Sequence, residues 1–432
     1  MKKRKTIVFA VCTPSLAETQ RMTQIAAALA KSDVFDLVMA HYAQEDDSFS
    51  FASIIKKEGL ETVLLQPHAT KELAEHIFAA DRGETAGELL PTAVIQKRIP
   101  NEITFLQSRN VACVVTGFNL SFYASCRILD IPIISVLSGS FVWWLSRDPQ
   151  ACRMPDLLSV GPLRWLPKKW GFAAMNWFSY KFAAPVKSMN KLIKQHHKRP
   201  FTGMIEMLNG DIFFASDIPE YIPIENPPPN FYYTGALIGR LGGEIPDEVR
   251  AAQAYAEKTG WPLVYFAMGS SGRPSFIKKC LDMFADQPMV VISPMQKMLD
   301  KDEKTRGYTP SENVFLSGWL PADKVNPLCD VALIHGGQGT VYTAVLSATP
   351  FCAVGNGNPE QEFNVEAAVT HGFAKLYRRN SVKPEALMSG LMELANDTEA
   401  KRKINQMSTL LQRPEWNGEE RAAQKIIELF GE

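Results

Sequence analysis

Several features that would have narrowed the function are missing from these 432 residues. Cysteine is scarce: the seven are scattered, odd in number and never spaced C-x-x-C, so neither a disulfide framework nor a zinc ribbon follows. A charge of one sign is absent, since 46 Lys+Arg cancel 46 Asp+Glu, which argues against a general polyanion binder and hence against nucleic acid. No apolar run reaches the roughly 18 residues that suggest a membrane span. The opening MKKRKTIVFAVC imitates a signal peptide, but its apolar stretch Ile7–Cys12 is short and Glu18 and Arg21 follow it. It reads better as a first buried strand, and the default compartment is the cytoplasm. That first strand is followed by no glycine, so the G-x-G-x-x-G fingerprint of nicotinamide and flavin enzymes is missing as well.

What is present is an ordinary globular composition, 46% hydrophobic and 21% charged. The length suits two large domains. Strand-like Thr6–Cys12 precedes a helical pattern at Met22, Ile25, Ala26 and Leu29. Phe35–Ala40, Val111–Val115 and Ile131–Val136 continue the strands, with a helical pattern over Leu120–Leu129. After a proline-rich stretch between Asp217 and Gly235, strands return at Leu263–Met268, Met289–Ile292, Asn313–Leu316, Val331–Ile334 and Phe351–Val354. Strands alternating with helices predict an α/β fold with parallel sheets, and the prolines mark a linker.

The chemistry concentrates in the second half. In DVALIHGGQGTVYTAVL a strand ends at His335, glycines 336, 337 and 339 form a turn, and a helix begins near Thr340. Unpaired N–H groups and the helix dipole then converge on one spot, an anion site; a plain tight turn is the alternative. In GNGNPEQEFNVEAAVTHG, Pro359 suits a first helical turn and puts Glu360 and Gln361 at the helix start. A carboxylate beside a carboxamide suits sugar hydroxyls, or simply favours the helix dipole. A third segment, VYFAMGSSG, runs from a buried strand into Gly269-Ser270.

Together these residues resemble the inverting, nucleotide-sugar-dependent glycosyltransferases of family 1, which have the GT-B fold: two Rossmann-like domains whose parallel sheets face a cleft. Gly269-Ser270 looks like the G-S of that family, and Gly318-Trp319-Leu320-Pro321 like its segment beside the nucleotide base. His335 through Thr340 matches H-x-G-x-G-T, and Glu360-Gln361 with Asn364 matches D/E-Q-x-x-N. The resemblance implies that Ser270, His335, Gly337, Gly339 and Thr340 hold the pyrophosphate, Trp319 and Leu320 flank the base, and Glu360 and Gln361 hold the sugar. It also implies an acceptor-binding domain over 1–225, a linker over 226–235, a donor-binding domain over 236–415 and a C-terminal helix over 416–432 that crosses back. The nucleotide sugar is a co-substrate, and no metal or cofactor is expected; Asp300-Lys301-Asp302 sits in a charge run and reads as solvated surface.

One departure matters. The family often has a histidine base before the first helix and an aspartate about 100 residues later that orients it. Here Glu18 stands at the histidine's position, and no carboxylate occurs near Thr116-Gly117. A carboxylate base needs no partner to set a tautomer, so the two losses fit each other. Residues 141–200 hold eleven Lys+Arg against Asp148 and Asp156, and five of eight tryptophans, namely Trp143, Trp144, Trp165, Trp170 and Trp177. That segment, with Trp143 and Trp144 foremost, is the candidate acceptor contact for an apolar or lipid acceptor, and a candidate peripheral membrane contact; a buried aromatic core is the alternative. The expected reaction moves a hexose or deoxyhexose from a UDP- or dTDP-sugar to an acceptor hydroxyl with inversion. A nucleotide-sugar 2-epimerase and a catalytically silent nucleotide-binding homologue remain the other readings.

Overall fold

The computed structural model describes residues 4–431 apart from 82–87, 89, 143–164, 166, 182, 240–241, 270–271, 356–357 and 380. These residues divide into two compact units. One takes in the chain up to Gly239 together with Pro414–Glu432; the other is formed from the chain between them.

The first unit is built on seven parallel strands: β1 (Thr6–Ala10), β2 (Asp36–His41), β3 (Thr62–Leu64), β4 (Val111–Thr116), β5 (Ile133–Leu137), β6 (Ile212–Ala215) and β7 (Phe231–Tyr233). Their order is β3-β2-β1-β4-β5-β6-β7. β1 alternates between two apolar layers: Val8 and Ala10 join one cluster, Ile7, Phe9 and Val11 the other. A strand buried on both faces has to read as the continuous apolar run seen in the sequence. The helix Thr92–Gln107 covers one face with Ile95, Ile99 and Leu106. The helix Leu16–Ala30 covers the other, beside Ala422, Ala423 and Ile426 of the final helix Gly418–Phe430.

β7 lies inside the stretch read as linker, so Phe231–Tyr233 is sheet and not connector. An edge strand tolerates neighbouring prolines because one side of its backbone needs no ladder partner. β3 and β7 are three-residue edge strands, too short for any periodicity to register. β6 carried a readable signal, four apolar residues bounded by Gly210-Asp211 and Ser216-Asp217.

The second unit has six parallel strands: β8 (Leu263–Ala267), β9 (Val290–Ser293), β10 (Val314–Leu316), β11 (Val331–Ile334), β12 (Phe351–Val354) and β13 (Ala374–Tyr377). Their order is β10-β9-β8-β11-β12-β13. In both sheets the order reverses between two central neighbours, β1 and β4 in the first, β8 and β11 in the second. At such a switch point the connections leave toward opposite faces and open a crevice at the carboxyl ends of the strands, where open α/β sheets bind ligands.

Candidate active site

The second switch point is where the sequence motifs meet. His335 directly follows β11 and is 7% exposed. Its ring lies between Gly269, which leaves β8, and Gly337 of its own loop: a Cβ at either position would fall on the imidazole. Gly336 has φ 93°, and a Cβ there would stand 2.7 Å from the Gln361 carbonyl. Glycine is therefore required so that two loops and a helix start can close on one histidine.

Burial drives His335 down to about 4 from 6.5, against a backbone hydrogen bond to Ala267 that raises it, so the ring is neutral at pH 7. Nδ1 lies 3.4 Å from the Thr340 hydroxyl, which donates to the Gly337 carbonyl at 3.0 Å. The helix starts at Gln338, two residues before the expected Thr340, and Gly337 is its N-cap without a side-chain hydrogen bond. A Cβ on Gly339 would have no atom of the described residues within 4 Å. The helix N-terminus thus keeps backbone donors beside open space.

The helix Pro359–His371 brings the next motif to the same place. Asn358 caps it, its Oδ1 accepting from the Glu360 N–H at 2.9 Å. Asn364 donates from Nδ2 to the Gly336 carbonyl at 3.2 Å and to Glu360 Oε1 at 2.9 Å. Gln361 is buried and its carbonyl backs Gly336, while Glu360 is half-buried. The structure therefore gathers His335, Gly337, Gly339, Thr340, Glu360 and Gln361. Trp319, 47% exposed, and buried Leu320 follow the edge strand β10, so sheet order does not set them next to this loop. Ser270, Trp143 and Trp144 lie outside the described residues.

The first switch point holds Glu18. It sits in the first turn of the helix Leu16–Ala30 and is 2% exposed. Its Oε1 accepts from the N–H groups of Gly117 at 3.1 Å and Phe118 at 2.9 Å, and Oε2 from Phe118 at 2.8 Å. These residues follow β4, where the resemblance had led us to look for an orienting carboxylate. Glu18 itself reaches across to that loop. Gly117 has no room for a Cβ, which would collide with Glu18 Oε2. Burial pushes the Glu18 carboxyl up, and the Phe118 N–H, the Arg21 charge and the N–H groups of Gly117 and Cys12 oppose it.

An apolar recess opens alongside, lined by Cys12, Leu73, Ile77, Leu90, Phe118 and Leu120 among others. The sequence reading did not single it out, because its walls come from five separate segments whose apolar residues look like ordinary core. Of the tryptophans in the segment 141–200, the described Trp165, Trp170 and Trp177 are 74%, 70% and 67% exposed. For these three the buried-core alternative is overturned.

Comparisons with known proteins agree with this geometry. No family model matches the sequence. A PGL/p-HBAD biosynthesis rhamnosyltransferase of Mycobacterium bovis (strain BCG / Pasteur 1173P2) is 22% identical over 363 residues, 78% of this chain and 72% of that protein. Among solved structures, the calicheamicin glycosyltransferase CalG4 superposes with a TM-score of 0.65 at 16% identity, over 100% of this chain and 99% of that one. The spinosyn rhamnosyltransferase SpnG, complexed with thymidine diphosphate, gives 0.61 at 13% identity over 98% and 99%. The two switch-point sheets and these relatives define a GT-B glycosyltransferase. Its motifs resemble those of the family 1 enzymes, and the relatives it matches are named as rhamnosyl- and glycosyltransferases. The named relatives are transferases, so the epimerase reading is set aside.

Proposed function

We propose that the second unit binds a UDP- or dTDP-sugar and the first unit its acceptor, with transfer of a hexose or deoxyhexose and inversion at the anomeric carbon. The observation that carries this reading is the loop His335–Thr340: backbone donors at a helix N-terminus, a neutral histidine and an open Gly339, braced by Asn364. A leaving diphosphate is stabilised by such preorganised donors without a metal ion. His335, Gly337, Gly339, Thr340 and the adjoining Ser270 take the pyrophosphate, Glu360 and Gln361 the sugar hydroxyls, Trp319 and Leu320 the base. SpnG was solved with thymidine diphosphate, which supports the thymidine nucleotide as one donor.

In the proposed step the acceptor oxygen attacks the anomeric carbon, the bond to the diphosphate oxygen breaks with its electron pair leaving on the diphosphate, and the acceptor proton passes to Glu18. A raised carboxyl pKa brings a base closer to working pH. A second reading is favoured by a specific observation: both Glu18 oxygens are turned to backbone N–H groups, which suits a fastener of the β4 loop. We assign the exposed Trp165, Trp170 and Trp177, with the basic residues around them, to contact with an anionic lipid surface near a lipid or apolar acceptor. The decisive experiment is calorimetry of the protein with thymidine and uridine diphosphates. Binding of at least one supports the donor assignment, and absence of heat with both removes it.

A further inference from the structure

Arg98 is a charge in the wrong place for a structural residue. It lies on the helix Thr92–Gln107, is 5% exposed, and lines the apolar recess of the first unit. Its Nε is buried with no hydrogen-bond partner among the described residues. Its guanidinium carbon stands 3.6 Å from the centroid of the Tyr42 ring, so one face is stacked while the Nε–H remains unspent.

The neighbour that should neutralise it does something else. Glu102 is one helical turn on and fully buried, and its carboxylate accepts from three hydroxyls: Tyr42 and Ser121 on Oε1, Ser125 on Oε2. Glu102 attracts Arg98 through space, but its oxygens are filled by neutral donors. A buried guanidinium with an unpaired N–H costs folding free energy unless a ligand offsets it. Cys12 also lines the recess, and burial lifts its thiol to about 12, so it supplies no negative charge at neutral pH. Most of the remaining wall around Arg98 is apolar, including Leu73, Ala74, Ile77, Leu90 and Leu120, with the uncharged Thr13 and Asn119 as its polar members.

We propose that Arg98 reads a carboxylate on the acceptor, so that the acceptor is an apolar molecule bearing one carboxylate as well as the hydroxyl that receives the sugar. The planar guanidinium fork matches a carboxylate, which would give its N–H donors the direct acceptor that Glu102 does not supply. A phosphate would bring nearly twice the charge of a carboxylate into a pocket with a single cation. Phe118, whose N–H holds Glu18, is part of the same wall, which places the pocket beside the proposed base. The proposal rests on the first unit's being the acceptor side.

The test uses 6-hydroxy-2-naphthoate and its methyl ester as probes, titrated into the whole protein, with thymidine diphosphate titrated separately. The acid is expected to bind at least about tenfold tighter than the ester, a difference of about 1.4 kcal/mol. Arg98→Met should erase that preference and leave ester affinity within about twofold, and Arg98→Lys should keep part of it. If Arg98→Met does not fold, the acid-to-ester ratio of the parent protein and of Arg98→Lys decides. An acid no tighter than its ester, a preference that survives Arg98→Met, or no binding of either probe overturns the proposal. Thymidine diphosphate binding without acid preference sinks Arg98 alone. Acid preference without binding of any nucleoside diphosphate leaves Arg98 standing and removes the donor assignment.

Discussion

The side-chain amide of Asn364 donates to the main-chain carbonyl of Gly336 at 3.2 Å, joining two motifs 28 residues apart. The same nitrogen holds Glu360 at 2.9 Å, so one buried residue fixes both the turn proposed to take the diphosphate and the carboxylate proposed to take the sugar. Asn364→Ala leaves the Gly336 carbonyl without this donor and removes one hydrogen bond from Glu360. It is expected to cost about 1–3 kcal/mol of stability and to weaken diphosphate binding, read from thermal melts and calorimetry. Unchanged nucleotide affinity in a well-folded Asn364→Ala protein would separate the brace from the site.

Two glycines of one loop make opposite predictions. A Cβ on Gly339 has no atom of the described residues within 4 Å, and alanine favours a helix, so Gly339→Ala should melt at or slightly above the parent temperature. Its thymidine diphosphate affinity should nevertheless fall about tenfold, because the methyl fills the space assigned to phosphate. Gly337→Ala pushes into His335 and should lose both stability and binding. Full nucleotide affinity in Gly339→Ala would place the phosphate elsewhere.

The burial of His335 makes stability depend on acid. Its pKa is about 4 in the folded protein against 6.5 ordinarily, so between these values the unfolded chain binds a proton that the native state refuses. Stability contributed by the neutral ring is complete above pH 6.5 and falls as the pH drops toward 4, by up to about 3 kcal/mol. His335→Asn should flatten this part of the curve in urea denaturation at stepped pH. An equally steep decline in the variant would assign the acid sensitivity to other groups.

Glu18→Gln distinguishes base from fastener. The amide cannot accept a proton, and its NH₂ must face N–H groups that now meet a carboxylate oxygen. As base, its loss lowers transfer by the folded fraction by roughly 10²–10⁴, whatever the lost N–H contacts cost in melting temperature. As fastener, its loss lowers the melting temperature and leaves turnover of the folded fraction near parental. Gly117→Ala, which displaces Glu18, should reproduce whichever pattern appears.

Flotation with vesicles tests the tryptophan-bearing segment. Binding to anionic vesicles, lost at high salt and reduced at least several-fold by Trp170→Ser with Trp177→Ser, is the expected result. Equal recovery with neutral and anionic vesicles, or with none, would return these side chains to a role in contacting a soluble acceptor.

The sequence alone determined most of the two sheets and the donor motifs, because buried parallel strands read as unbroken apolar runs and because glycine, proline and capping residues act locally. His335, Gly337, Thr340 and Glu360 could be named from spacing for that reason. Edge strands such as Phe231–Tyr233 escaped notice, since three residues behind a run of prolines carry no periodicity. Tertiary structure decided what no local pattern encodes. It turned both oxygens of Glu18 onto the N–H groups of Gly117 and Phe118, about 100 residues away. It set His335 between Gly269 and Gly337, and left Arg98 with an unspent N–H in an apolar wall assembled from five stretches of chain. Switch points juxtapose strands distant in sequence, and burial and pairing exist only once those neighbours have met.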